Sequence, residues 1–324
     1  MPSISIIGFG KLGQFIAEWI RTESSASGGE GAKRKRGADG TPSLAAVYTR
    51  RPLDLATVDG DLRTFLVEKK VLLTQDLGEA VRRCEVAVEV ASASVYDQLA
   101  PLLVGRAKEE TPFTFFMGSP AAMGHCEPLT KFVSKLAADE SSFTLLLGVP
   151  SGAAWGLADV RSMARTGKVA RVTVTMEKHP GSLKIVDRAA GGGSAGDEVR
   201  RLVEESAASG SRVEAYRGPV GPLTQAAPQN VNTMSVLALA SLGFDQTEGV
   251  LVADPTLTSH DIRIDVWGHP SPADSTDAFH VSTLRHNPAA PGAVTGSATY
   301  FSFVSSLDSL LTLRARGFDG LQFC

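Results

Sequence analysis

The chain has 324 residues, more than one ordinary hydrophobic core takes up, so two domains are expected. Its 32 basic and 35 acidic residues leave a formal charge of −3, which argues against a nucleic-acid partner or an anionic membrane surface and favours a small-molecule partner. Three cysteines, Cys84, Cys126 and Cys324, lack metal or redox spacing and are too few for a disulfide framework, so a reducing compartment and no metal are expected.

Met1-Pro2-Ser3 leads into an apolar strand without a basic segment or cleavage site. The longest apolar stretches, such as Phe143 to Val149, fall short of the ~20 residues that span a bilayer. A cytoplasmic protein with no membrane partner is the expectation.

Ser3 to Ile7 reads as a buried strand that runs into Gly8-Phe9-Gly10-Lys11-Leu12-Gly13, and Gln14 to Arg21 follows with helical apolar spacing. Strand, glycine loop and helix in this order form a dinucleotide fingerprint. Gly8 serves the tight turn, Gly10 the approach of a pyrophosphate and Gly13 the contact of helix with strand. Lys11 and Leu12 join them as expected cofactor contacts at the helix start. Residues 22–43, with Lys33-Arg34-Lys35-Arg36 at their centre, have the composition of a disordered insertion.

Leu44 to Tyr48 is the expected second strand. Arg50 and Arg51 then stand where an NAD-specific site would carry a ribose-binding acid, so the 2′-phosphate of NADP is slightly favoured over NAD. Val86 to Val90 is another buried strand, with Glu89 inside it read as a structural acid, and Ala91-Ser92 at its end. Apolar strands and helices keep alternating through residue 147, which predicts a parallel sheet wound on both faces.

Gly148-Val149-Pro150-Ser151-Gly152-Ala153-Ala154 marks the crossing into a second domain, with Ser151 also a candidate N-cap. Residues 189–196 read as a glycine-rich loop far from any strand-to-helix junction. Strands at 169–176, 213–217, 249–253, 262–267 and 278–284 predict a mixed or antiparallel sheet, and a helix covers 296–311. Asn230 and Asn232 open an apolar helix whose free N–H groups suit an anion. His260 lies between two strands, beside Asp261, while His269, His280 and His286 lack ligand spacing.

Several long strings, Ala227-Pro228-Gln229-Asn230-Val231-Asn232-Thr233-Met234, Ser241-Leu242-Gly243-Phe244-Asp245, Gly249 to Asp254 and Asn287 to Thr299, resemble the aspartate dehydrogenase family, above all its eukaryotic domain-containing members. The resemblance implies an N-terminal Rossmann dinucleotide-binding domain over 1–148 and an α+β substrate and dimerisation domain over 149–293. Residues 294–324 would carry a C-terminal helix that returns to the first domain.

It also implies NAD(P)-dependent oxidation of L-aspartate to iminoaspartate, hence oxaloacetate and ammonia, or the reverse, in a homodimer. In that reading His260 is the general acid/base, Ala91 and Ser92 line the cofactor cleft, and Ala153 backs the nicotinamide. Ser151 lies near substrate, and Asn232, with Asn230, holds cofactor or substrate. The alternatives are an inactive NAD(P)-binding sensor of the same fold and a reductase of another amino or imino acid. Bacterial relatives carry a Lys-Pro-Pro-type turn where this chain has Glu177-Lys178-His179-Pro180-Gly181; Lys178 or His179 is a candidate to meet a substrate carboxylate there, but a turn lysine ordinarily faces solvent, so both stay outside the assigned site.

Overall fold

The computed structural model describes residues 2–25, 41–109, 111–137, 144–186, 193–270, 278–293 and 295–324. In chain order the elements are β1 (Ser3–Ile7), α1 (Lys11–Ser25), β2 (Ser43–Tyr48), α2 (Gly60–Glu68), β3 (Leu72–Thr74), α3 (Leu77–Arg82), β4 (Val86–Glu89), α4 (Tyr96–Ala107), β5 (Phe113–Met117), α5 (Glu127–Ala137) and β6 (Leu145–Val149). Next come α6 (Leu157–Arg165), β7 (Val169–Lys178), α7 (Gly193–Ser209), β8 (Val213–Pro219), α8 (Val220–Ala226), α9 (Asn232–Ala240), β9 (Glu248–Ala253), β10 (Ser259–Gly268) and β11 (His280–Pro288). The chain closes with α10 (Ser297–Ala315) and β12 (Gly320–Phe323). Residues 1–119, 128–150 and 303–324 form one compact unit, and 120–127 with 151–302 form the other.

The first unit holds a seven-stranded sheet in the order β12-β6-β5-β4-β1-β2-β3, with every pair parallel. Parallel strands need crossovers that cover both faces, and β4, β5 and β6 are accordingly buried at every position. Ile4, Ile6, Val86, Val88 and Phe116 meet Ile16 and Ile20 of α1 in one core, which Phe303, Leu307 and Leu310 of the chain end complete. From β1 the chain steps to β2 on one side and later to β4 on the other, so the carboxyl ends of β1 and β4 flank the switch point where such sheets bind ligands.

Three elements here, α2, β3 and β12, were not visible in the sequence pattern. Asp59 caps α2 by accepting the Asp61 amide, and β12 pairs with β6 as the sheet's last strand. The expected insertion is also shorter at both ends, because α1 runs to Ser25 and β2 starts at Ser43. In the last turn of α1 the Ser24 and Ser25 hydroxyls fold back and donate to the carbonyls of Ile20 and Arg21. The basic tetrad 33–36 lies outside the described residues.

The second unit is built on a mixed five-stranded sheet, order β11-β10-β7-β9-β8, in which β7 and β9 run parallel and the other pairs antiparallel. Strict alternation sets its core face: Val172, Val174 and Met176 on β7 lie in phase with Ile264 and Ile262 on β10. Helix α9 packs on β7 and α8 on β9. On the opposite phase Trp267 stacks on His280 at 4.6 Å between centroids, and the Arg171 guanidinium lies 3.5 Å from the Trp267 ring centroid.

Two expectations are revised here. Residues 193–196 of the presumed glycine loop are the first turn of α7, and Gly196 lets that turn abut Val186, whose carbonyl a Cβ would approach to 2.3 Å. His260 is not in a loop: β10 begins at Ser259 and takes the histidine into the sheet.

Candidate functional site

The switch point of the first unit is shaped by three glycines with different reasons to be glycine. Gly8 has φ +101°, and a Cβ there would lie 2.6 Å from the Ala91 Cα. A Cβ on Gly13 would lie 2.2 Å from the Gly8 carbonyl oxygen. Gly10 meets nothing within 4 Å. Packing inside the protein therefore demands the first and third, while the second leaves room above a helix start. The first helical bond of this turn runs from the Gln14 amide to the Gly10 carbonyl at 2.9 Å. By helix geometry the amides of Lys11, Leu12 and Gly13 precede the ladder and point outward, an arrangement suited to a pyrophosphate.

Arg50 and Arg51 are exposed directly after β2, and neither has an ion-pair partner among the described residues. The Thr49 hydroxyl donates to the Arg51 carbonyl at 2.6 Å, which fixes this corner of backbone.

Glu89 ends β4 fully buried, and the structure supplies the partners the sequence did not show. Oε1 accepts the Ala91 amide at 2.8 Å and the Ser119 hydroxyl at 3.0 Å. Oε2 accepts the Ser119 amide at 2.8 Å and the Tyr96 hydroxyl at 2.9 Å. Burial pushes the carboxyl up to about 7, and the four donors act against that rise. Glu89 thus ties the turn after β4 to the turn after β5, and sets Ala91 against Gly8. Beside it the Ser92 and Ser94 hydroxyls share a hydrogen bond of 2.8 Å.

In the second unit Ser151 does not cap a helix; α6 begins at Leu157, with Gly156 at its N-cap. The Gly152 carbonyl of the same turn accepts Arg285 Nη1 and the Ser302 hydroxyl, both at 3.0 Å, and Ala153 next to it is buried. Asn230 has spent its amide inside the protein. Its oxygen accepts the Lys184 amide at 2.7 Å and its nitrogen donates to the Ser182 carbonyl at 2.9 Å, so it fastens 182–184 rather than facing a ligand. Asn232, the first residue of α9, is half-buried and accepts the Ala121 amide at 3.3 Å through Oδ1.

His260 is 4 % exposed, and it is the middle of a polar rung across three strands. Lys178 of β7 is its register partner on one side and Asn287 of β11 on the other, each 3 % exposed. Burial pushes the imidazole down to about 4, with the Lys178 charge acting in the same direction, while the Ala293 backbone and Asp261 oppose them. The ring is therefore neutral near pH 7. Its Nε2 is buried with no hydrogen-bond partner among the described residues.

The sequence pattern ends this strand at residue 176 and puts Lys178 in the turn after it; β7 in fact runs to Lys178, and carrying the strand's alternation two residues further is the signal that would have placed the lysine in the core phase. Asn287 gave no such signal; the strand pairing alone brings it in, and its Oδ1 accepts the Ala298 amide at 3.4 Å. His179 turns elsewhere, since its Nδ1 accepts the Gly181 amide at 3.0 Å. His280 and His286 pair with Asp265 and Asp261 on the other phase of the sheet. No metal-holding cluster occurs among the described residues, nor does any helix long and apolar enough to cross a membrane.

A parallel sheet in this order with a glycine turn at its switch point is the Rossmann-type dinucleotide-binding fold, here combined with an α+β unit on a second sheet. The crystal structure of aspartate dehydrogenase from Thermotoga maritima has the same fold, at a TM-score of 0.56 with 18 % identity, covering 98 % of this chain and 97 % of that one. The family profile "Aspartate dehydrogenase, C-terminal" matches residues 159–306.

The aspartate dehydrogenase domain-containing protein of Xenopus tropicalis is 34 % identical over 308 residues, covering 94 % of this chain and 93 % of the relative. An L-aspartate dehydrogenase of Methanococcoides burtonii is 27 % identical over 273 residues, or 84 % of this chain and 86 % of the relative. The chain belongs to the aspartate dehydrogenase family. Family and fold together imply a nicotinamide dinucleotide cofactor, and the room above Gly10 fits its pyrophosphate.

Proposed function

We propose that this chain is an NAD(P)-dependent L-aspartate dehydrogenase, interconverting L-aspartate and water with oxaloacetate and ammonia through iminoaspartate. The observation that carries the reading is the His260 Nε2, a buried, neutral and unpartnered base set in the domain that matches the family. A bound nicotinamide supplies the hydride acceptor or donor.

The protein's own groups do the rest. Amides at Lys11, Leu12 and Gly13 receive the pyrophosphate, while Arg50 and Arg51 favour a 2′-phosphate and so NADP. By family resemblance Ala91 and Ser92 of the first unit serve the cofactor, and in the second unit Ala153 serves the nicotinamide while Ser151 and Asn232 supply polar contacts. His260 Nε2 takes a proton from the substrate ammonium, which frees the nitrogen lone pair as hydride leaves the α-carbon. It releases that proton to solvent and, neutral again, takes a proton from the water that adds to the imine and passes it to the nitrogen that leaves as ammonia. A positioned acid/base of this kind contributes about 10²- to 10⁴-fold, or roughly 3 to 5 kcal/mol of barrier. We further propose a homodimer, as family resemblance implies, working in the cytoplasm, in keeping with too few cysteines for a disulfide framework.

The test is nicotinamide absorbance with purified protein, using aspartate with NAD or NADP and, in reverse, oxaloacetate with ammonium. Turnover of aspartate supports the reading. Cofactor binding with no turnover in either direction would favour a sensor of the same fold, and turnover of a different amino acid alone would favour the other reductase.

A further inference from the structure

The core-facing positions of β7 read Val172, Val174, Met176 and then Lys178. An ammonium thus occupies a phase that the rest of the strand gives to the core, and its Nζ has no hydrogen bond or ion pair among the described residues. The acids nearest in sequence are committed to the opposite phase: Glu177 pairs with Arg212 at 2.9 Å and Asp261 with His286 at 2.8 Å. Burial alone holds the lysine down, to about 8, with no acid compensating it.

An isolated buried ammonium is costly, and it becomes favourable when an anion arrives to pair with it. The neighbouring His260 Nε2 is likewise buried and unpartnered, so two adjacent groups of one rung both lack a partner that the protein itself does not provide. Their complement is a small molecule carrying a carboxylate beside a nitrogen or oxygen that exchanges protons.

We propose that Lys178 is a substrate-contacting residue whose ammonium takes one carboxylate of a small dicarboxylic acid while His260 serves the reacting end. The assignment rests on the dehydrogenase reading for His260's role, but the anion site itself does not depend on turnover. It names the selectivity of the site: dicarboxylates over monocarboxylates of the same backbone.

The experiment uses the full chain, succinate as a non-reacting probe, and the variants Lys178→Met and Lys178→Gln. Succinate binding is measured by calorimetry in the presence of NADPH, and NADPH affinity and urea unfolding are followed in each variant. Methionine keeps the shape and removes an uncompensated charge, so the empty variant should be as stable as the wild type or more so. Succinate affinity should fall at least 30-fold in both variants, with NADPH affinity held within 3-fold. If aspartate is turned over, its KM should rise similarly and preference over alanine should collapse. Lys178-dependent succinate binding in a protein that never turns over aspartate would sink the dehydrogenase reading and leave the anion site standing. Succinate binding unchanged in either folded variant, or a wild type that does not bind succinate, would overturn the proposal. A loss of stability in both variants with succinate affinity retained would mark Lys178 as purely structural.

Discussion

Replacing Glu89 by Gln changes one atom in a buried group and has a calculable cost. Each carboxylate oxygen accepts one backbone N–H and one hydroxyl: Ala91 N and Ser119 Oγ on Oε1, Ser119 N and Tyr96 Oη on Oε2. Whichever way the Gln amide is turned, its NH2 faces one of the two N–H groups. A hydroxyl can rotate to become an acceptor, but a backbone amide cannot. One buried N–H is therefore left unsatisfied, and the bonds that remain lose their charge.

An orphaned donor costs about 1 to 3 kcal/mol and the remaining bonds weaken, but Gln also escapes the desolvation that lifts the Glu89 carboxyl to about 7, so a net loss of about 1 to 2 kcal/mol is expected at pH 8, where the wild-type carboxylate is ionised. Tyr96→Phe is the control. It keeps the edge-on packing of the ring against Phe115, at 6.2 Å between centroids, and removes a single donor, for about 1 kcal/mol. Urea unfolding of wild type and both variants gives the comparison, and NADPH titration should show weaker binding in Glu89→Gln, since Ala91 abuts Gly8. A Glu89→Gln variant within 0.5 kcal/mol of the wild type would refute the assignment of all four donors to an ionised carboxylate.

His260→Ala should lower aspartate turnover by about 10²-fold or more with NADPH affinity within a few-fold, and equal activity in the variant would remove His260 from the chemistry. Because burial and Lys178 depress the imidazole to about 4, the base stays in its active neutral form down to that value. The acid limb of kcat/KM should then inflect near 4, with activity lost as pH falls through it; a limb at 6.5 would contradict the buried setting. Arg50→Ala should weaken NADP selectively over NAD in fluorescence titrations, and a wild type that prefers NAD would discard the 2′-phosphate role. Gly10→Ala should fold normally yet bind dinucleotide at least about 10-fold more weakly, whereas Gly13→Ala, with its Cβ 2.2 Å from the Gly8 oxygen, should lose about 2 kcal/mol or more in urea unfolding. Equal stability of the two would show that the glycine turn is looser than the structure has it.

The sequence alone determined the parts of this protein that depend on local order. Apolar runs alternating with helical spacing through residue 147 predicted a parallel sheet, since strands buried on both faces are largely apolar. The glycine turn after β1 was legible because Gly8, Gly10 and Gly13 stand at fixed offsets between a strand and a helix. The strings around Asn230 and Asn287 were enough to recognise the family. Short elements escaped: β3 has three residues and β12 four, too few for any period to emerge.

Tertiary structure decided what each polar group is for. Asn230 and Asn232 look equivalent in sequence, yet the fold places Ser182 and Lys184 against the first and leaves the second half-exposed at a helix start. Glu89 found its donors at positions 91, 96 and 119, the last 30 residues away. Lys178, His260 and Asn287 are separated by 82 and 27 residues in the chain, and only the register of β7, β10 and β11 makes them one rung. Pairing across strands is non-local, so no window of sequence contains it. The burial that strips those side chains of water, and so sets their charge states, exists only once the sheet has formed.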